Sequence, residues 1–298
     1  MHSVALSVVI PTRNRADDLI RSVNSVLQAG DDVEVIVSDD GSTDDTVARV
    51  EALHDTRVRI TASPTSNGAN IARNRGAAIA KAPLIAFLDS DDVFLKGRCE
   101  RLIAFFKDHP EIDAVHDGFV EVSDDSQKIH AMPSFADARE LRHLIICHRV
   151  PMTNSAVTIR AEAFKAIGGF DEKLRRHQDR DLLLRINEKY NLSLGSAADI
   201  HKFRGSASIS HNFREYISGL DMFSAKIPEV KMEYYRDLFS YLSIRGIIKS
   251  AAQGRIKDTL HEISELSRAK NLPHGLIRNL LRYHAGKAFR QSAPPPPN

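Results

Sequence analysis

The chain has 298 residues, of which 42% are hydrophobic and 27% are charged, and its formal net charge is +2. These values are typical of a globular protein with one or two domains. No segment approaches the roughly 20 apolar residues that a membrane-spanning helix requires, and the apolar run Ala5–Ile10 is too short for a signal peptide. Cys99 and Cys147 fit no metal or redox spacing, which favours a reducing compartment. The sequence therefore predicts a cytoplasmic protein that is not integral to a membrane.

The charges are divided unevenly along the chain. Residues 226–298 carry 13 Lys or Arg and 6 Asp or Glu, whereas residues 1–225 carry 28 and 33. An acidic body is thus followed by a basic section, and we expect the two to have different roles.

Short β-type segments alternate with helical segments in the first third of the chain. The predicted strands are Ala5–Ile10, Val33–Ser38, Arg57–Thr61 and Pro83–Leu88, and the predicted helices are Ala16–Ala29, Thr43–Leu53 and Gly68–Lys81. This alternation predicts an α/β fold with a mostly parallel, Rossmann-like sheet and helices on both faces. In such sheets, ligands bind beyond the carboxyl ends of the strands.

Polar clusters follow three of these strands, namely Pro11–Asn14, Asp39–Ser42 and Asp89–Asp92. The carboxylates of the last two would meet at one edge of the sheet and repel one another without a partner. A divalent cation such as Mg²⁺ or Mn²⁺, which prefers carboxylate and phosphate oxygens, would be a suitable partner. Each acidic cluster could instead form a turn or cap a helix.

Seven segments in order resemble the family 2 inverting glycosyltransferases, which have the GT-A fold. They are Ser7–Asn14, Glu34–Asp44, Asn67–Gly68, Ala72–Gly76, Ala86–Asp92, Gly168–Glu172 and Gln178–Leu182. The resemblance covers residues 4–210 and implies a metal-dependent enzyme. Such an enzyme moves a sugar from a nucleoside-diphosphate sugar to an acceptor hydroxyl, as in the synthesis of bacterial-type cell-surface polysaccharides or glycolipids.

The resemblance also implies roles at the donor site. Asp91 would bind the Mn²⁺ or Mg²⁺ ion, and Asp92 would cap a helix or support the site from behind. Asp40 would accept a hydrogen bond from the base, which suits the imino N–H of uracil and favours UDP-linked or dTDP-linked donors. The residues expected to bind the nucleotide-sugar are Pro11, Thr12, Arg13, Asp40, Gly68, Arg73, Asp89 and Ser90.

On the acceptor side, the resemblance makes Asp179 the general base that takes the proton of the acceptor hydroxyl. Asp181 is a competing candidate, and Asp179 could simply cap the helix that follows it. The chain departs from the family pattern at Gln178, where Glu is usual, and it lacks a histidine in the segment Phe203–Ser210. His201 or His211 could replace that histidine. Gly168 and Gly169 would permit close backbone approach to a ligand.

Three regions are predicted: a GT-A catalytic domain at 1–211, a helical extension at 212–291 and a Pro-rich tail at 292–298. Residues 276–290 combine apolar positions at helical spacing with four basic side chains. Such a helix could lie on an anionic membrane surface, at the inner face of the membrane, which would suit a lipid-linked saccharide acceptor. It could equally pack on the catalytic domain.

Other functions fit the sequence less well. A nucleotidyltransferase normally needs a glycine-rich loop after the first strand, where this chain has Pro11–Asn14. A nucleotide-binding module that has lost catalysis remains an alternative, supported by Gln178 and the missing histidine. Nucleic-acid binding is not expected, because Tyr283 and Phe289 are the only aromatic residues among the last 50.

Overall fold

The computed structural model describes residues 4–203 and 213–231. The burial of side chains is described for residues 4–203 and 219–229. The chain divides into two compact units, Met1–Ser206 and Ala207–Asn298. The domain boundary that the sequence predicts after residue 211 stays a prediction. The basic helix at 276–290, the tail at 292–298 and His211 lie outside the described residues, so those predictions stand as they were.

The described part of the first unit alternates strands with helices. Its strands are β1 (Leu6–Thr12), β2 (Val33–Asp39), β3 (Val58–Ala62), β4 (Leu84–Phe87), β5 (Val93–Phe94), β6 (Ala114–His116), β7 (Phe119–Ser123), β8 (Ser126–His130), β9 (Val157–Arg160), β10 (Leu192–Leu194) and β11 (Ile200–Phe203). Its helices are α1 (Ala16–Leu27), α2 (Thr46–Glu51), α3 (Ala69–Ala78), α4 (Arg98–Asp108), α5 (Ala138–Ile146), α6 (Ala161–Ala166) and α7 (Gln178–Lys189), and a 3-10 turn spans Asn154–Ala156.

The strands form two sheets. The larger has seven strands in the order β10-β6-β9-β4-β1-β2-β3, and the smaller has four in the order β5-β11-β7-β8. All neighbours in the larger sheet are parallel except β9, which runs antiparallel to both β4 and β6. The predicted α/β fold with a mostly parallel sheet is confirmed. The reversed strand β9 and the second sheet were not predicted.

The centre of the larger sheet is buried on both faces. Every residue of β1 and β2 is buried, which explains why both strands are almost continuously apolar. Helix α3 packs closely on β1 at Gly76, where an added Cβ would lie 2.5 Å from Cγ1 of Val9. Glycine therefore brings α3, and the polar side chains that it carries, close to the sheet.

The strand order reverses between β1 and β4, and this point of reversal is where ligands bind in open α/β sheets. Strand β4 pairs with β1 only as far as Val9, whereas β1 continues to Thr12. Residues two apart in a strand direct their backbone polar groups to the same neighbour, so Val9 and Pro11 both face the side of β4. Strand β4 has already ended at Pro11, whose ring nitrogen has no proton to donate. The divergence of these strands opens the edge of the sheet that carries Asp89–Asp92.

A set of buried charges joins α4 to the two sheets. Arg98 at the start of α4 is fully buried and donates to Asp117 at 2.9 Å and also to Asp199. Arg101 donates to the same two carboxylates, at 2.7 Å in each case. We call Arg98, Arg101, Asp117 and Asp199 the buried network. Since Asp199 directly precedes β11, the network holds the start of that strand.

The described part of the second unit contains helix α8 (Phe213–Ser224) and a 3-10 turn at Pro228–Lys231. Leu220, Phe223 and Ile227 are buried. Within the described ranges of both units, no helix combines the length and apolar character needed to cross a bilayer.

Candidate functional site

The segment after β4 forms a turn rather than an extended strand. The backbone N–H of Asp92 donates to the carbonyl of Asp89 at 2.9 Å, which closes the turn. In this turn, Asp89 and Asp91 pair with different arginines, and one lysine contacts both Asp89 and Asp92.

Asp89 is paired with Arg73 of α3. The Nη2 atom of Arg73 lies 2.7 Å from Oδ1 of Asp89, and its Nη1 donates to Asn70 at 3.0 Å. Burial alone would raise the pKa of Asp89, but the charges of Arg73 and Lys202 outweigh it and hold the pKa below its ordinary value. Asp89 is therefore ionised at neutral pH.

Asp91 is paired with Arg15, which directly precedes α1. The Nη1 atom of Arg15 lies 2.5 Å from Oδ2 of Asp91, and the two side chains are 28% and 24% exposed. Arg21, which lies within α1, donates to the backbone carbonyl of Asp91 at 3.2 Å. Helix α1 thus supplies two basic side chains to the acidic turn.

Asp92 is fully buried and caps no helix, since α4 begins only at Arg98. Its Oδ2 accepts a hydrogen bond from Oγ of Ser155 at 2.6 Å and one from Nζ of Lys202 at 3.3 Å. Burial, together with the charges of Asp89 and Asp91, raises the pKa of Asp92 to about 7, although Lys202 opposes this shift. The alternative prediction, that Asp92 supports the site from behind, agrees with this burial.

Lys202 was missed by the sequence analysis. It lies on β11, which pairs with β5 and so passes beside the acidic turn. Its Nζ is 3.3 Å from Asp92 and 3.7 Å from Asp89, and its pKa is raised by these carboxylates and by Asp91 in spite of burial. Neither a motif nor a periodic pattern marks this lysine, because strand pairing alone brings it to the site.

Three carboxylates and three basic side chains therefore meet at this edge of the sheet. We call Asp89, Asp91, Asp92, Arg15, Arg73 and Lys202 the donor-edge cluster. Basic side chains of the same chain offset the charge of these three carboxylates, and their predicted meeting with the carboxylates of Asp39–Ser42 stays a prediction. Repulsion among the carboxylates is therefore no reason to expect a bound cation at this edge.

The site is still compatible with a divalent ion if a bound molecule supplies most of the oxygen atoms that coordinate the ion. Among the described residues, no three His, Cys, Asp or Glu side chains are grouped as a metal site. Mg²⁺ is commonly held by one or two carboxylates together with substrate phosphates, so a complete protein cage is not required. Arg15 contacts Oδ2 of Asp91, and no described residue donates to its Oδ1. Asp91 can therefore offer one oxygen to an ion.

Asp40 follows β2 and is buried. Its carboxylate accepts hydrogen bonds from Oγ of Ser66 at 2.7 Å and from the backbone N–H groups of Asn67 and Gly68 at 2.8 and 2.9 Å. Burial alone would raise the pKa of Asp40, but these hydrogen bonds lower it below its ordinary value. Asp40 thus positions the loop in which Gly68 adopts a φ of 110°. The predicted contact with a base stays a prediction.

The remaining predicted donor residues lie at the ends of β1 and β4. Pro11 and Thr12 are buried, and Arg13 is exposed just beyond them. Ser90 is buried within the acidic turn, and its carbonyl accepts a hydrogen bond from Oγ of Ser22 at 2.9 Å. These residues lie on either side of the point where the strand order reverses, and their contact with a nucleotide-sugar stays a prediction.

Helix α3 also holds the loop that the sequence assigns to the acceptor side. The side-chain amide of Asn74 donates to the carbonyl of Phe170 and accepts from its N–H, both at 2.9 Å. Gly168 and Gly169 have φ values of 78° and 67°, and a Cβ on Gly169 would lie 2.6 Å from Oδ1 of Asn74. The positive φ favours glycine at both positions, and at Gly169 a side chain would also collide with Asn74. Arg73 lies over the ring of Phe170, 5.4 Å from its centre.

Asp179 is the second residue of α7 and is half-buried. Its Oδ1 accepts a hydrogen bond from the backbone N–H of Arg180 at 2.8 Å. The competing candidate, Asp181, is buried, and its Oδ2 accepts two hydrogen bonds from Arg185 at 2.9 and 2.7 Å. Asp179 is thus the more accessible of the two carboxylates.

The charge of Asp179 acts on His116, at the end of β6, and on His177, directly before α7. Burial lowers the pKa of both imidazoles to about 4, although Asp179 opposes this effect in each case. Both rings are therefore neutral at physiological pH. The Nε2 atom of His116 accepts from the backbone N–H of Thr153 at 3.3 Å, and Ser155 donates to Asp92. Residues 153–155 thus connect the surroundings of Asp179 to the donor-edge cluster.

His177 precedes Gln178 in a left-handed conformation, with a φ of 58°, and His148 has a φ of 55°. Their rings lie in contact, with centres 5.3 Å apart. Such backbone conformations are uncommon for residues other than glycine and concentrate at functional sites. His201 lies on β11, where its ring contacts Phe203.

Comparison with known proteins agrees with this geometry. Residues 7–168 match the family model described as Glycosyl transferase family 2. The pre-mycofactocin glycosyltransferase of Mycobacterium tuberculosis is 32% identical over 196 residues, which are 61% of this chain and 39% of that protein. The succinoglycan biosynthesis protein ExoU of Rhizobium meliloti is 38% identical over 99 residues, 33% of this chain and 29% of that one. The chain therefore spans less than half the length of these two relatives.

Among solved structures, that of S. aureus TarS in complex with UDP-GlcNAc has a TM-score of 0.62 to this chain. The match covers 82% of this chain and 73% of that one, with 17% sequence identity. A likeness at this identity concerns the fold, and it identifies the α/β architecture described above as the GT-A fold.

Proposed function

Because the chain belongs to glycosyl transferase family 2, we propose that it transfers a sugar from a nucleoside-diphosphate sugar to an acceptor hydroxyl, with inversion at the anomeric carbon. The observation that carries the proposal is the donor-edge cluster. It gathers Asp89, Asp91 and Asp92 with three basic side chains at the point where the strand order reverses. An edge with both acidic and basic groups suits a ligand that brings a diphosphate and hydroxyl groups together.

In the proposed reaction, Asp179 acts as the general base. It takes the proton of the acceptor hydroxyl while the acceptor oxygen forms a bond to the anomeric carbon. The bond from that carbon to the phosphate oxygen breaks, and the electron pair leaves with the nucleoside diphosphate. Asp179 is preferred to Asp181 because Asp181 is buried against Arg185.

We propose that Asp91 contributes a ligand to a divalent ion, Mn²⁺ or Mg²⁺, together with the donor phosphates. A bound cation of this kind would neutralise charge that develops on the departing diphosphate. Arg73 and Asp89, which form a close pair, would position the sugar and ribose end of the donor. Asp40 would hold the loop at Gly68 beside the base.

A UDP-linked donor is the preferred choice within this proposal. The carboxylate of Asp40 suits the N–H of uracil, and the structural neighbour TarS is described in complex with UDP-GlcNAc. The relative ExoU is named for succinoglycan biosynthesis, which supports a saccharide or lipid-linked saccharide as acceptor and a role in polysaccharide or glycolipid synthesis. Contact with a membrane through residues 276–290 stays a prediction.

The test is a calorimetric titration of the protein with UDP, GDP, CDP and dTDP, each with Mn²⁺ and with EDTA, beside Asp91→Ala and Asp179→Asn. We expect one diphosphate, UDP, to bind most tightly, and Asp91→Ala to weaken the binding that depends on Mn²⁺. Asp179→Asn should bind the diphosphate like the wild type. With a donor that the protein turns over, it should lose about 10²–10⁴-fold in rate, because it lacks a base.

Two results would contradict the proposal. If the wild type binds no nucleoside diphosphate with metal present, the donor site is wrongly placed. If Asp179→Asn turns over the donor as fast as the wild type, the base is another group. Binding by the wild type without turnover of any donor and acceptor pair would favour a nucleotide-binding module that has lost catalysis.

A further inference from the structure

Lys202 differs from the two arginines of the donor-edge cluster in how it is paired. Arg15 and Arg73 lie 2.5 and 2.7 Å from their carboxylate partners. Lys202 lies 3.3 Å from Asp92 and 3.7 Å from Asp89. Strong hydrogen bonds between an ammonium and a carboxylate are shorter, about 2.7–2.9 Å. The ammonium of Lys202 is therefore the most loosely bound cation of the cluster.

The position of Lys202 is nevertheless determined by its surroundings. Asp92 lies behind it, fully buried, and is itself held by Ser155. The backbone N–H of Phe203 also donates to Oδ1 of Asp92, at 3.3 Å. Strand β11 is thereby attached to Asp92 through the side chain of Lys202 and through the backbone of the next residue.

Part of the lysine side chain remains accessible, with 32% of its surface exposed. An ammonium has three N–H donors, and in the described part of the chain one of them makes a hydrogen bond, to Asp92. Among the described residues no other acceptor takes a hydrogen bond from this ammonium, so its remaining donors can bind an oxygen that reaches this edge of the sheet. A lysine ammonium is a compact point charge and a common ligand of phosphate groups.

We infer that Lys202 binds the diphosphate of the nucleotide donor as a positive charge supplied by the protein itself. The inference rests on the proposed function, because it assumes that the donor binds at this edge. With Lys202 as a diphosphate ligand, the enzyme has two sources of positive charge for the diphosphate, namely Lys202 and an ion at Asp91. Binding of the diphosphate should therefore depend on Lys202 both with and without a divalent ion, and more strongly without one.

The experiment compares Lys202→Met with the wild type by calorimetry. The ligands are the nucleoside diphosphate that binds most tightly and the corresponding nucleoside, each measured in EDTA and in Mn²⁺. We expect Lys202→Met to lose about tenfold or more in affinity for the diphosphate in EDTA, as for a lost hydrogen bond between charged groups. The affinity for the nucleoside should not change. Lys107→Met removes an exposed lysine from α4 and is the matched control, with no loss for either ligand.

The outcomes separate this inference from the proposed function. Equal diphosphate affinities of the wild type and Lys202→Met would overturn the inference and leave the proposed function intact. Equal losses for the nucleoside and the diphosphate would show that Lys202 only maintains the structure, which also overturns the inference. Failure of the wild type to bind any nucleoside diphosphate would overturn both.

Lys202→Met leaves the buried Asp92 without its cation and could fail to fold. In that case the pair Asp92→Asn and Asp92→Asn/Lys202→Met replaces it, because both proteins lack the buried carboxylate charge. The double variant should bind the diphosphate about tenfold or more weakly than Asp92→Asn alone. Equal affinities in this pair would overturn the inference.

Discussion

The donor-edge cluster and the buried network use the same chemical groups in different surroundings. In the first, the pair of Arg15 and Asp91 is 28% and 24% exposed. In the second, Arg98 and Asp117 are both fully buried. A charge taken out of water must be compensated by its partners, so removal of one partner from a buried pair is costly. A pair that stays partly in water contributes little to stability and remains free to exchange its partner for a ligand.

The difference assigns separate roles to the two sets of charges. The buried network attaches α4 to Asp117, which follows β6, and to Asp199, which precedes β11. It thereby holds the strand on which Lys202 lies. In the donor-edge cluster, Asp92 and Arg73 are buried, but Arg15, Asp91 and Lys202 are partly exposed at the edge of the sheet. We expect variants of the network to change the free energy of unfolding, and exposed variants of the cluster to change the affinity for the donor.

The largest effect is expected from Arg98→Met. The substitution leaves Asp117 and Asp199 with less positive charge in a buried site, and it should lower the free energy of unfolding by about 3–5 kcal/mol. Urea-induced unfolding followed by circular dichroism measures this change.

Arg101→Met is the matched control for Arg98→Met, since Arg101 donates to the same two carboxylates but is 34% exposed. Its effect on the free energy of unfolding should be clearly smaller. Equal effects of the two variants would show that burial does not distinguish these arginines and would contradict the comparison.

A smaller effect is expected from His116→Gln, and it should depend on pH. The pKa of His116 is about 4 in the folded protein, because the ring is buried, against about 6.5 in an unfolded chain. Between these values the unfolded chain binds more protons, so stability falls as the pH is lowered from 6.5 towards 4. The wild type should lose up to about 3 kcal/mol more than the variant over this range.

The measurement for His116→Gln is urea-induced unfolding of both proteins at several pH values. His177, whose pKa is also about 4, contributes equally to both and cancels in the difference. Parallel curves for the two proteins would contradict the assigned protonation of His116. Glutamine retains an oxygen that can accept the N–H of Thr153, so the comparison isolates the titration.

The sequence predicted the parts of the site that local patterns encode. Strands β1 to β4 and their helices were found within a few residues, because apolar periodicity and strand-end polar residues are local features. Asp89, Asp91 and Arg73 were proposed from motifs, and the structure brings them together at one edge. Gly168 and Gly169, which the sequence assigned to the acceptor side, adopt positive φ values.

The remainder depends on contacts between distant parts of the chain. Lys202 and Ser155 reach Asp92 because β11 pairs with β5 and because the turn before β9 passes beside β4. A single lysine or serine in a short segment carries no periodic signal, so sequence reasoning had no means of finding either. The same holds for Arg15, since its pairing with Asp91 depends on how α1 packs against the acidic turn.

The smallest effect on stability is expected from Arg15→Met, the counterpart of Arg98→Met in the donor-edge cluster. Both variants remove one arginine from a carboxylate, but Arg15 is partly in water, so the free energy of unfolding should change by less than about 1 kcal/mol. The ligand response should be larger. Loss of a positive charge weakens diphosphate binding in EDTA, and release of Oδ2 of Asp91 favours an ion at that carboxylate.

Both effects of Arg15→Met raise the ratio of the diphosphate affinity in Mn²⁺ to that in EDTA, and calorimetry under the two conditions measures this ratio. An unchanged ratio with unchanged stability would mean that the pair of Arg15 and Asp91 is incidental to the site. A loss of stability as large as that of Arg98→Met would mean that the cluster is structural. A raised affinity ratio with nearly unchanged stability is the one outcome that agrees with the comparison. It would mean that the charges of the donor-edge cluster are partly exposed so that a ligand can replace an ion-pair partner within the protein.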